Sequence, residues 1–534
     1  MNQNSGGKET WASRVGVILA VTGSAVGLGN FLRFPGLAAQ YEGGAFMVPY
    51  FVALLVLGLP LAWGEWAMGR FGGRHGYNSS PGIYRSICGR NWAAYLGVLG
   101  MIVPVVIYMY YVLIESWCLG YAWYYLSGHM AEVGQTARDL AEGGIVGKQP
   151  YVELFAAFTG EGGNGAAFGG PGMTMLGLCF VLNFVLIYRG LSRGIERFCL
   201  VAMPALIICA ILVLLRVLTL PNVLGGLGFM WNPRTEDASF LEALGNPKMW
   251  LDATGQIFFS LSVGFGIIIT YSSYLKADDD IALSSLTSAA GNEFCEVSLG
   301  GMITIPAAYM FLGAAAVTAA AGSSFNLGFM TLPMVFESMP LGHVVGFLFF
   351  FLLFLAAVTS SLSMLQPAIA LLEEGLALNR RASVAILGFV TLCGAMFTLY
   401  FSKGTLALGT FDTWVGTFFI YVLAMFQTVM FGWVLGPKRG MEELRRGAEI
   451  SVPSVIGWNL RYVAPVYLGV VFVAFLYQQI VTDKGGMFRQ ALEDPVVGAS
   501  VAFILLVTAF FLLIIIQSVR RWERAEREQT EVRL

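Results

Sequence analysis

The sequence predicts an all-α polytopic membrane protein of twelve spans forming one domain, and three observations carry that prediction. Of its 534 residues, 57% are hydrophobic and only 12% are charged, whereas a soluble domain carries about 25% charged residues. Apolar stretches of about 20 residues, the length that crosses a bilayer, recur twelve times along the chain. Inside the first of them residues 24–35 read SAVGLGNFLRFP, with two glycines, an asparagine and an arginine at membrane depth. A plain anchor has no use for those residues.

The spans centre on residues 14–39, 44–69, 92–127, 171–188, 194–216, 247–273, 283–313, 342–374, 381–400, 410–436, 454–479 and 495–518. The loops between them are asymmetric in charge. Arg70, Arg74, Arg85 and Arg90 follow the second span, Arg189, Arg193 and Arg197 the fourth, and Arg380 and Arg381 the eighth. Lys438, Arg439, Arg445 and Arg446 follow the tenth, and Arg520, Arg521 and Arg524 the last. The opposite loops, such as 128–170 and 219–246, are longer and sparse in Lys and Arg. Basic loops stay in the cytoplasm, so both termini are expected there. The seven cysteines (Cys88, Cys118, Cys179, Cys199, Cys209, Cys295 and Cys393) show no CxxC or metal-ligand spacing, so neither a disulfide framework nor a metal cluster is expected. A net charge of −2 offers no footprint for nucleic acid.

The first span is costly as a continuous helix. Each Gly costs a helix interior roughly 1 kcal/mol relative to Ala, and a lone charge near the bilayer centre costs about 2.5–3.5 kcal/mol on insertion scales. Unwound backbone at that depth is tolerated where protein or a water-filled cavity satisfies it. Residues 24–35 therefore read as a broken helix whose freed amides and carbonyls face a ligand. Residues 255–266, GQIFFSLSVGFG, repeat the pattern in the sixth span. Corresponding breaks five spans apart point to inverted repeats with a site at the midplane, here residues 10–217 and 246–437. Residues 453–520 supply two additional helices, and 521–534 a cytoplasmic tail. No GxSxG or HExxH set supports an enzyme, and His75, His129 and His343 stand isolated. Nor is there a channel filter or ring of charges.

Longer motifs bring in a family. Residues 24–35 resemble the neurotransmitter:sodium symporter family, as do GGAFMVPY (43–50), EWAMGR (65–70), YYVLIESW (110–117) and GIER (194–197). So do residues 255–266, GNE (291–293), TSSLSMLQP (359–367) and FDTWVGT (411–417), in order over nearly the whole chain. The resemblance is nearest to the bacterial leucine-transporter branch, which implies a multi-pass protein of the bacterial inner membrane. It implies a sodium-coupled importer of neutral L-amino acids working by alternating access. Two readings stay open beside it: a membrane sensor that binds an amino acid without moving it, and a symporter for another small zwitterion.

Residue by residue, the resemblance implies a first sodium held by Ala25, Asn30, Ser260, Asn292 and the substrate carboxylate. A second is implied at Gly23, Val26, Ala356, Thr359 and Ser360. Hard cations take oxygen ligands, and Ser260, where that branch has Thr, keeps the hydroxyl. The substrate carboxylate would meet the amides near Leu28 and Gly29 and the phenol of Tyr111, and its amine the carbonyls of Ala25 and Phe259. Ile107, Phe259, Phe265 and Met364 would form apolar walls, with Ser262 and Ser360 beside them. Gly27 matches the position where monoamine carriers hold an aspartate, which favours an amino acid over a bare amine. Arg33 and Asp412 match an outer gate, and Lys8 and Glu374 the positions of an inner one; Lys lacks the bidentate fork of the usual Arg. Tyr274, Ser273 and Gln366 match the residues that buttress it. Glu65 and Glu115 match structural acids, Glu65 bridging the two breaks, and Glu293 stands beside Asn292. Glu296 matches the acid that replaces chloride in bacterial members, so no chloride requirement is expected. The oligomeric state, a homo-oligomer included, is left open by the residues, as is the preferred amino acid.

Overall fold

A computed structural model describes residues 10–41, 43–140, 148–160, 162–232, 240–483 and 485–533. They form helices and connecting turns. The principal elements are α1 (Arg14–Ala25), α2 (Gly29–Gln40), α3 (Gly44–Arg74), α4 (Trp92–Ser127), α5 (Pro171–Tyr188), α6 (Leu191–Leu218) and α7 (Pro247–Leu261). They continue with α8 (Ile267–Ser272), α9 (Ile281–Leu312), α10 (Gly342–Leu376), α11 (Arg380–Tyr400), α12 (Lys403–Leu435), α13 (Val455–Thr482) and α14 (Pro495–Arg533).

Among the described residues ten helices are long and apolar enough to cross a membrane, or eleven when the bent pair α1 and α2 counts as one span. The sequence leads to an expectation of twelve. The difference lies in residues 247–273. There α7 has 15 residues and α8 has 6, about 22 Å and 9 Å of helix at 1.5 Å per residue, so neither piece crosses alone.

Both interruptions have local causes. Ser13 caps α1, its hydroxyl accepting from Gly16 N at 3.0 Å. The helix ends at Ala25 because Val26 turns extended (φ −74°, ψ 97°), and the chain resumes as α2 after a 47° bend. Pro247 opens α7 with Asn246 accepting from Lys248 N at 3.0 Å. That helix runs seven residues into the predicted break and stops at Ser262, which adopts a left-handed φ of 55°. Gly264 and Gly266 follow with φ 74° and 80°. A Cβ on Gly266 would sit 2.4 Å from Gly100 O, so only glycine lets the break pass α4.

Burial sorts the helices. α10 packs along α4 and α6, and α1 packs against α9, α10 and α6, so both breaks lie inside the bundle. α5, α6, α13 and α14 form its periphery, and α13 turns Val466, Val470, Val473 and Tyr477 outward. Such an apolar exterior suits lipid.

Candidate functional site

Four polar side chains converge where α2, α7 and α9 meet. Asn30 Nδ2 donates to Asn292 Oδ1 at 2.8 Å and to Glu296 Oε2 at 3.0 Å, while Asn30 Oδ1 accepts from Gly27 N at 2.8 Å. Asn292 Nδ2 donates to Ser260 Oγ at 2.7 Å, and Ser260 Oγ donates to Glu296. Asn30, Ser260, Asn292 and Glu296 are all buried. Wide, π-type turns present two of them: Gly29–Arg33 carries Asn30, and Phe294–Gly301 carries Glu296. Such turns add a residue to the helix and re-aim its side chains. The two segments touch closely, since a Cβ on Gly300 would lie 2.0 Å from Asn30 O.

A second cluster joins α1 to α10. Ser360 Oγ donates to Gly23 O at 3.3 Å and Ser24 O at 3.2 Å. Thr359 Oγ1 donates to Ala356 O at 3.0 Å, and a Cβ on Gly23 would meet Thr359 Cβ at 3.1 Å. Val26 begins the break one residue beyond Ala25. Both clusters hold the donor chemistry of a hard cation, amide, hydroxyl and carboxylate oxygens in the first and hydroxyl and carbonyl oxygens in the second.

Between the clusters lies the first break itself. Leu28 N donates to Tyr111 Oη at 3.1 Å. A Cβ on Gly27 would lie 2.8 Å from that hydroxyl and 3.0 Å from Ser360 Oγ, and one on Gly29 would lie 3.3 Å from the Phe259 ring. Ile107 precedes Tyr111 by four residues on α4, and Met364 follows Ser360 by four on α10; each pair shares a helix face. Both are buried, and Phe265 packs edge-on against Phe259 at 5.7 Å. Ser262 Oγ donates to Ser24 O at 3.0 Å, tying the two breaks together.

The gate residues are placed differently. A cavity of about 270 Å³ opens beside the first break, lined by Leu28, Arg33, Tyr111, Phe259, Phe325 and Asp412. Arg33 and Asp412 face that cavity without an ion pair between them. Arg33 lies over the Phe259 ring at 5.0 Å, and Tyr110 Oη donates to Asp412 Oδ1 at 2.8 Å. Lys8 lies outside the described residues. Glu374 accepts from Asn78 N, Ser79 N and Ser79 Oγ. Ser273 Oγ donates to Asn78 Oδ1 at 3.1 Å, and Gln366 Nε2 donates to Tyr274 Oη at 3.0 Å. Glu65 Oε1 accepts from Gly264 N at 2.7 Å, a contact to the second break.

Three residues of the site are missing from the sequence reading. Gln256 Nε2 donates to Glu296 Oε1 at 2.8 Å; it precedes Ser260 by four residues on α7, the spacing that could have singled it out. Tyr50 Oη donates to Glu293 Oε2 at 2.7 Å. Ser363 joins Ser24 at 2.8 Å between the hydroxyls.

The model of the sodium:neurotransmitter symporter family matches residues 8–133 and 157–524. An uncharacterized sodium-dependent transporter of Methanocaldococcus jannaschii is 28% identical over 473 residues, 88% of this chain and 90% of that protein. The uncharacterized sodium-dependent transporter YhdH of Bacillus subtilis is 31% identical over 373 residues, 68% of this chain and 72% of its own length. Among solved structures, MhsT in complex with L-phenylalanine is 27% identical with a TM-score of 0.73, over 88% of this chain and 100% of MhsT. A broken-helix bundle with oxygen-rich clusters, matched over nearly its whole length, therefore belongs to the sodium:neurotransmitter symporter family: it is a membrane transporter, not an enzyme.

Proposed function

We propose that this sodium-coupled transporter imports neutral, aliphatic or hydrophobic L-amino acids by alternating access. The observation that carries the reading is Gly27, placed against the Tyr111 and Ser360 hydroxyls where a side chain would intrude. A bare amine finds no carboxylate at that position. An amino-acid zwitterion brings its own, which the Tyr111 hydroxyl and the positive half-helix end near Leu28 and Gly29 would receive. MhsT, a relative of the same fold, was solved with L-phenylalanine.

Two sodium ions travel as co-substrates in this reading. Asn30, Ser260 and Asn292, with the Ala25 carbonyl and the substrate carboxylate, would hold one. Gly23, Val26, Ala356, Thr359 and Ser360 would hold the other. Glu296 would balance the first cation without chloride. Arg33 and Asp412, which line the same cavity, would close over the site. Within the repeats 10–217 and 246–437, spans one, two, six and seven would rock against the rest, in a protein of the inner membrane of a bacterium with both termini on the side of the basic loops, the cytoplasm.

A competition panel tests the substrate class. Radiolabelled leucine uptake into vesicles should be inhibited by alanine, valine, methionine or phenylalanine. Dopamine and serotonin should leave it unchanged. Preferential uptake of either amine would contradict the assignment.

A further inference from the structure

Glu115 is a buried carboxylate that the site described so far does not use. It sits one turn beyond Tyr111 on α4 and is fully buried. Its Oε2 accepts from Ser361 Oγ at 2.5 Å and from Asn183 Nδ2 at 3.0 Å, and Asn183 Nδ2 also reaches Oε1 at 3.2 Å. These partners are donors. That pattern suits an ionised carboxylate, which only accepts; a protonated one would have to give its hydrogen to Ser361 Oγ and turn that hydroxyl into the acceptor. Asn183 Nδ2 also reaches Tyr108 Oη at 3.4 Å, while its buried Oδ1 has no hydrogen-bond partner.

An anion so placed is costly without a nearby positive charge. Among the described residues no Lys, Arg or His forms an ion pair with Glu115. One compensation is built into α10. Ser361, which donates to Glu115, directly follows Thr359 and Ser360, the hydroxyls of the second cluster. We infer that Glu115 is the fixed negative charge that favours a cation at the Thr359–Ser360 cluster, as Glu296 does at the Asn30–Asn292 cluster. This rests on the sodium reading above. Glu115 touches no ion; it is a positioning residue that acts through its field and through Ser361.

Binding of radioactive sodium to the purified full-length chain, with choline chloride holding ionic strength constant, tests this. Glu115→Gln keeps the size and removes the charge, and should raise the sodium half-saturation of the second site roughly tenfold. Glu115→Asp should restore most of the affinity. The decisive comparison is a double-mutant cycle. In a Thr359→Ala background Glu115→Gln should add nothing further, whereas in an Asn30→Ala background its full effect should persist. A purely structural role would weaken both backgrounds alike, and that result, or an unchanged half-saturation, overturns the inference. Should Glu115→Gln not fold, Glu115→Leu/Asn183→Leu removes charge and partner together, a replacement that buried polar pairs tolerate better than the loss of one member. Absence of sodium binding by the wild-type chain would instead overturn the sodium reading on which this stands.

Discussion

At the scale of single residues, Gly27 and Tyr111 divide the work of choosing a substrate. Gly27 leaves room that a Cβ would take from two hydroxyls, and Tyr111 presents a phenol at the freed backbone of the first break. Gly27→Asp should abolish leucine uptake, because a carboxylate there repels the substrate's own. Tyr111→Phe should weaken amino-acid binding by about 1–3 kcal/mol, the cost of losing a hydrogen bond to a charged group, read from competition binding. Glu296 carries a separate expectation. Uptake by the wild type should be indifferent to replacing chloride with gluconate, and Glu296→Ser should make it depend on chloride. A Glu296→Ser carrier that ignores chloride would contradict the charge-balance role. Asn30, Ser260 and Asn292 were legible because motif and chemistry pointed to the same oxygens. Gln256 was within reach only through its four-residue spacing from Ser260, and Tyr50 was not legible, since its partner is set by which face of α3 meets α9.

At the scale of elements, the two breaks were legible and their limits were not. Glycine marks both, yet Gly255 lies inside α7, where a Cβ would meet only ordinary contacts, 3.5 Å from Tyr421 Oη. The turn falls instead at Ser262, a non-glycine residue in the left-handed region, a conformation that costs of order 1–3 kcal/mol and persists where surrounding structure enforces it. Its hydroxyl on Ser24 O supplies part of that enforcement. Helix approach is close at Gly300, beside the Asn30 carbonyl. Gly300→Ala must move backbone, so it should destabilise the protein by about 1–3 kcal/mol, seen as a lower melting temperature. It should also weaken sodium binding, because the displaced backbone carries Asn30. A variant with wild-type melting and sodium affinity would show that the two π-type turns are not held in register there.

At the scale of the whole molecule, composition and span length were enough to read a membrane bundle, but not the count of continuous helices, because α7 and α8 are each too short to register as a span. The outer gate was legible as a pair of residues and not as a contact: Arg33 and Asp412 stand on one cavity with Phe259 and Tyr110 as their partners. In the proposed function the bundle is one machine that couples two sodium ions to one zwitterion. Two net charges would then move inward per cycle, each worth about 2.3 kcal/mol per 100 mV of membrane potential. Uptake of radiolabelled leucine into proteoliposomes measures this most directly. With sodium outside, potassium inside and valinomycin to set an inside-negative potential, leucine should accumulate above its external concentration, more so as the potential grows. Replacing external sodium with potassium should stop it. Accumulation that continues without sodium, or uptake that only equilibrates across the membrane, would contradict the central claim.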